Sequence, residues 1–188
     1  MQGHDPKDQN AAKMNRRKFL TRTGAGLVIA SIPARSVWAS SGGLTQSIVA
    51  SGHGSDFANG HDIKLESPGY FKNTATSQNK LRFIDVFGGP PIGVNAKDFN
   101  ATLGDVLDQP GKKKLGGPAN INFNLVGIYL NAFFSGSSPF DRIYYPIVGH
   151  DKPFATFQQF AFYLYDQAMA SPESTSAALG NLITQYHG

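Results

Sequence analysis

Two histidines and two aspartates lie within ten residues of one another, at His53, Asp56, His61 and Asp62, with Asn59 between them. Two imidazoles and a carboxylate suit zinc or iron, and a loop can bring such spacings together. The spacing follows no recognised metal motif and is not that of a calcium loop. The glycines and serines between these side chains equally describe a linker, which is the preferred reading, so no cofactor is expected; a metal at this cluster is the alternative. Gly60-His61-Asp62 recurs as Gly149-His150-Asp151, and the two together could form a histidine–carboxylate pair for proton transfer. Two polar turns account for the repeat more simply. Ser135-Gly136-Ser137-Ser138 follows a helical segment, whereas a nucleophile elbow sits between a strand and a helix. A helix stop and loop are expected there.

Binding chemistry is concentrated at Tyr70 and Phe71, whose rings beside Lys72 could hold a sugar or an aromatic group. The competing expectation is that the rings pack inward while the Lys72 ammonium stays in water, and it is preferred. Asn120, Asn124, Gly127 and Asn131 form a second polar set, falling on one narrow stripe of a helical wheel. They are expected either to line a thin exposed edge or to hydrogen-bond neighbouring loop backbone.

The elements that must position these residues are mostly helical. Pro118 suits a first helical turn after Gly116-Gly117, and the helix it opens runs to Phe134, with Gly136 as its stop. Leu125, Val126, Ile128, Leu130, Phe133 and Phe134 cover most of its surface, which marks a buried central helix. A second helix starts near Pro153 and groups Phe154, Phe157, Phe160, Ala161, Leu164 and Ala168 on one face, with Gln159, Tyr163 and Asp166 opposite. Ser171-Pro172 reads as a cap and first-turn proline for a last helix toward Tyr186. Asn100 is placed as the cap of a short helix through Leu107, stopped by Pro110-Gly111. Leu81–Phe87 reads as a strand ended by Gly88-Gly89-Pro90-Pro91, and Ile143–Val148 as an extended crossing segment. The fold class is mainly α, with a small α+β fold as the variant. One compact domain with three or four helices and one or two short extended segments follows a flexible arm.

Composition sharpens this. Residues 1–39 hold seven lysines and arginines against two aspartates, whereas the remainder has ten basic and eleven acidic side chains. The basic balance therefore belongs to the first segment, and the usual inference from a basic protein to nucleic acid fails. Lys112-Lys113-Lys114 lies between Pro-Gly and Gly-Gly pairs and reads as a solvated loop. The chain has no cysteine, so disulfides, thiolate-held clusters and a cysteine nucleophile are excluded. A small exported domain often leans on disulfides; here thirteen phenylalanines and seven tyrosines after residue 39 must build the core instead.

The first segment carries its own pattern. Asn15-Arg16-Arg17-Lys18-Phe19-Leu20 resembles the twin-arginine (Tat) export signal, in which Arg16, Arg17, Phe19 and Leu20 are the recognition residues. A polar start to Arg22, a mildly apolar stretch from Thr23 to Ala34, and Val37-Trp38-Ala39 complete the three parts of a leader. Cleavage is expected between Ala39 and Ser40. The apolar stretch is too short for a spanning helix, which needs about 20 residues. The expected organisation is a leader at 1–39, a Gly/Ser-rich arm at 40–66 and a single domain at 67–188.

Gly69-Tyr70-Phe71-Lys72-Asn73 resembles the Gly-Tyr-Trp-Lys-Asn-His signature of a module found in secreted and surface-anchored microbial proteins. The order of Leu103-Gly104-Asp105-Val106-Leu107, Gln109-Pro110-Gly111, Leu130-Asn131-Ala132 and Tyr145-Pro146 is similar to that module over residues 67–188. Phe71 and Thr74 stand where the module has Trp and His. The resemblance implies a secreted structural or binding role with no established enzymatic activity. The expected function is an exported, non-enzymatic module of the periplasm or cell surface. Its expected partners are the Tat translocase and signal peptidase during export and an envelope partner afterwards, with no nucleic acid and no permanent membrane anchor. The alternatives are an accessory subunit of a Tat-exported redox enzyme and a small metal-dependent enzyme using His53, His61 or His150.

Overall fold

The structure, a computed structural model, describes residues 62–74, 76–108 and 115–188. Among them it is mainly helical, as expected, with no sheet and with six α-helices rather than three or four. Six α-helices follow in order: α1 (Pro68–Asn73), α2 (Phe83–Phe87), α3 (Leu103–Asp108), α4 (Ile121–Phe134), α5 (Phe157–Ala170) and α6 (Pro172–Gln185). The chain outside them is pinned by isolated bridges, Lys64 to Tyr144, Leu65 to His187, Arg82 to Thr102 and Val148 to Phe154.

α4 is the centre. Ten of its fourteen residues are buried, from Ile121 through Ala132, because apolar side chains leave it no broad wet face. Its polar residues are fastened to main chain elsewhere. The Asn122 amide accepts from the Ile92 N–H at 2.9 Å and donates to the carbonyls of Ile92 and Leu115 at 3.0 and 2.8 Å. The Asn131 amide accepts from the Glu66 N–H at 2.7 Å and donates to the carbonyls of Glu66 and Gly127, each at 2.9 Å. Gly127 lies against Pro68 of α1 so closely that a Cβ would collide with the proline ring. The stripe thus divides: Asn131 is buried and bonds loop backbone, Asn124 bonds Ser176 of α6, and Asn120 is exposed.

Several expected boundaries shift for identifiable reasons. α4 begins at Ile121 rather than Pro118, since Ala119 and Asn120 take φ of 47° and 62° and break the turn. Leu81–Phe87 is not a strand. An alternating register puts Asp85 on the same face as Phe83 and Phe87, whereas helix α2 buries Phe83, Val86 and Phe87 and leaves Asp85 to pair with Arg82 at 2.7 Å. Gly88, at φ 77°, ends it in the left-handed conformation that glycine tolerates.

Asn100 does not cap α3. Thr102 does, its hydroxyl accepting from the Asp105 N–H while the Asp105 carboxylate accepts from the Thr102 N–H and hydroxyl. α5 starts at Phe157 rather than Pro153, capped by Thr156, whose side chain accepts from the Gln159 N–H. It buries Phe160, Ala161, Leu164 and Ala168. α6 opens at Pro172 as expected, but the Ser171 side chain makes no capping bond. Instead the Ser171 N–H and the Thr175 hydroxyl both donate to the Gln167 carbonyl, closing the α5–α6 corner.

The packed region begins before residue 67. Ile63, Leu65 and Glu66 are buried, so at least these residues of the expected 40–66 arm belong to the domain. Residues 40–61, Gln109-Pro110-Gly111 and Lys112-Lys113-Lys114 lie outside the described residues.

Replacing Asn131 by leucine keeps the volume but strips the Glu66 N–H and C=O of their partner in a dry site. The expected loss is about 2–4 kcal/mol of unfolding free energy. Denaturant unfolding checks it; a loss below about 1 kcal/mol would mean that this clamp is dispensable.

Candidate functional site

The solvent-facing chemistry gathers where the chain enters the domain. Glu66 is held by the Asn131 amide on its backbone, by the Lys64–Tyr144 pairing on one side and by Leu65 between Tyr186 and Gly188 on the other. Its carboxylate has a side-chain exposure of 4%, yet it faces two exposed bases. Arg142 Nε lies 2.7 Å from Glu66 Oε1 and His187 Nε2 lies 3.8 Å from Oε2. An almost fully buried carboxylate is costly unless it is paired in this way. The Arg142 guanidinium also sits over the Tyr70 ring, 5.6 Å from its centroid, a geometry in which cation and ring face attract.

The Tyr70 ring is fixed in turn by edge contacts with Phe71 and Phe140. Phe71 stacks on Phe134 of α4 and Phe140 stacks on the same ring. The aromatic layer therefore runs from the core to a surface ring carrying a fixed cation. Because both the ring and the guanidinium are held before any ligand arrives, little side-chain freedom is left to lose on binding.

The expected Tyr70, Phe71, Lys72 group separates in space. Phe71 is wholly buried, Tyr70 is half-buried, and Lys72 is exposed, 3.7 Å from the Asp108 carboxylate. Of the expected metal cluster, His53, Asp56, Asn59 and His61 lie outside the described residues and Asp62 is exposed. Among the described residues no three histidines or carboxylates are grouped to hold a metal ion. His150 and Asp151 form an exposed pair 2.6 Å apart. The Ser135 hydroxyl accepts from the Tyr145 N–H at 2.7 Å and so fastens the crossing segment to the end of α4. Arg16, Arg17, Phe19, Leu20, Ala39 and Ser40 lie outside the described residues.

Glu66, Arg142 and His187 carried no signal in the sequence. They come from three distant stretches and follow no motif, and only the fold brings them together. No described helix is long and apolar enough to cross a membrane. Comparison with family models, curated proteins and solved structures returns no match.

A second polar feature lies inside. The Tyr145 hydroxyl is buried with no hydrogen-bond partner among the described residues, close to Tyr163, and its ring packs edge-on against Phe160. Burial, and next the neighbouring Tyr163, push the Tyr145 phenol far above its ordinary range. Burial pushes Tyr163 up to about 12. Both phenols thus stay neutral at physiological pH and are unsuited to act as bases there.

A raised folded-state pKa means stability that is complete below the unfolded value, about 10 for tyrosine, and lost as pH rises through the folded value. The melting temperature should hold up to about pH 10 and fall from there through about pH 12 and beyond. Tyr145→Phe removes an unpartnered buried hydroxyl, so the variant should be at least as stable as the parent at pH 7 and should lose less above pH 10. A variant that melts clearly lower at pH 7 would show that the hydroxyl has a stabilising partner.

Proposed function

We propose that this protein is an exported, non-enzymatic module of the periplasm or cell surface that binds an envelope partner through the Tyr70–Arg142 surface. The observation that carries the binding half is the guanidinium held over a fixed aromatic ring and tied to the buried Glu66 carboxylate. Aromatic rings and arginines are the side chains most often found at the energetic centre of protein interfaces. Support for the export half comes from the leader pattern around Arg16-Arg17 and from the charge contrast across residue 39.

The resemblance to the secreted module gains coherence from the packing of its pieces. Phe71 of the signature stacks on Phe134, Lys72 reaches the Asp108 carbonyl at 3.4 Å beyond the Leu-Gly-x-Val-Leu stretch, and Asn131 of Leu-Asn-Ala clamps the segment before the signature. In that reading the signature builds the fold and leaves Tyr70 at the surface. The accessory-subunit reading draws on a different observation. Phe162 and Met169, two turns apart on α5, keep 40% and 56% of their surface in water.

The test is made on protein expressed in its own host. The parent should be recovered from the envelope fraction with Ser40 as its first residue, and the Arg16→Lys, Arg17→Lys double variant should stay full-length in the cytoplasm. Full export of the double variant would remove the Tat reading. Tyr70→Ala should cut recovery with its envelope partner at least tenfold, with Tyr70→Phe close to the parent. Phe162→Ser acting alone in that assay would move the interface to α5 and favour a larger partner enzyme.

A further inference from the structure

The loop before α3 has a property that the binding surface does not use. Of twelve asparagines in the chain, only Asn100 is followed at the second position by serine or threonine, in Asp98-Phe99-Asn100-Ala101-Thr102. Asn-x-Thr without proline is the acceptor sequence for N-linked glycosylation. An acidic residue two positions earlier, here Asp98, is its extended bacterial form.

The structure gives Asn100 the surroundings an acceptor needs. It is exposed in a turn closed by the Ala101 N–H donating to the Asp98 carbonyl at 3.0 Å. Its side-chain amide makes no hydrogen bond among the described residues, whereas Asn79, Asn122, Asn124 and Asn131 all use theirs to hold the fold. An oligosaccharide on Asn100 would therefore displace no internal contact.

We propose that Asn100 is an N-glycosylation site, modified after export by transfer from a polyprenyl-diphosphate-linked oligosaccharide. The Asn100 Nδ2 attacks C1 of the reducing-end sugar. The N–C1 bond forms, the C1–O bond to the diphosphate breaks, polyprenyl diphosphate leaves with the electron pair, and the amide gives up one proton. No oxidant or reductant is required. The proposal rests on the export reading, since the acceptor must reach the compartment that holds the donor.

The α3 cap opposes the transfer. The Thr102 hydroxyl, which the transferase must recognise, donates to the Asp105 carboxylate at 2.7 Å as the α3 cap. The acceptor conformation requires this exposed cap to open. Removing the carboxylate should therefore speed modification.

The experiment expresses the full chain in a bacterium whose periplasm holds an asparagine-directed oligosaccharyltransferase and its lipid-linked donor. A parallel chain carries a proven Tat leader in place of residues 1–39. Tryptic peptide Asp98–Lys112 should gain the mass of the donor oligosaccharide. Asn100→Gln and Thr102→Ala should lose that mass, and Thr102→Ser should restore it in part. Asp105→Ala should raise the initial rate about fivefold, the population change expected when one helix cap is lost. An exported chain with an unmodified Asn100 overturns the proposal. If only the leader-exchanged chain reaches the periplasm, the export reading fails, and the mass of its peptide still decides the fate of Asn100.

Discussion

The structure depends on how a nearly wholly buried helix disposes of its amides. α4 is apolar on almost every side, yet it carries Asn122 and Asn131 at zero exposure. A primary amide in such a place is costly unless its donors and acceptor are matched. Each one is matched to main chain. Asn122 takes both polar groups of Ile92, and Asn131 takes both of Glu66. The two side chains thereby act as one-residue strand partners for loops that have no sheet to join. In a chain without cysteine they replace part of what disulfides do elsewhere, fastening segments 30 and 65 residues away in sequence. A disulfide acts mainly on the unfolded chain, whereas these bonds form only once the helix is buried, so the fastening and the core are one cooperative event.

The surface cluster follows from the same constraint. Asn131 fixes the Glu66 backbone, and that fixes where the carboxylate emerges beneath Arg142 and His187. The chain end takes part, because Leu65 is bonded on one side by Tyr186 and on the other by Gly188. Residues 65–66 and 186–188 are thus held together. A buried carboxylate paired with a single exposed arginine stabilises the fold little compared with an apolar substitute. Its effect is to hold Arg142 in one place over the Tyr70 ring.

The long elements were legible because their signals were redundant. α4 ends at Phe134 and α6 starts at Pro172 where the sequence pattern puts them, since apolar spacing and a terminal Gly or Pro agree there. Leu81–Phe87 misled because the placing of its Leu, Phe, Ile and Val residues satisfies both periods over so short a stretch. Only the burial of Val86 beside Phe87 and the pairing of Asp85 with Arg82 reveal the helix. Asn100 has the residue type of a cap, but Thr102 and Asp105 bond reciprocally and Asn100 bonds nothing among the described residues, a choice made by tertiary geometry. At the site, Tyr70 was legible as an aromatic near a lysine. Its actual cation is Arg142, because Lys72 turns toward Asp108.

The proposed export route and the architecture constrain each other. A protein carried folded must finish its core in the cytoplasm, where disulfides do not persist. A core closed by aromatic layers and by asparagine-to-backbone bonds, in a chain without cysteine, needs no oxidant to form. The same closure commits the buried amides of α4, Asn122 and Asn131, to main chain. Surface chemistry is left to residues that the core positions and does not consume. Tyr70 is the last ring of a stack that starts at Phe134, and Arg142 rests on a carboxylate rooted by Asn131. The geometry of this face is tied to the packing of α4, so that loss of the core and loss of the surface occur together.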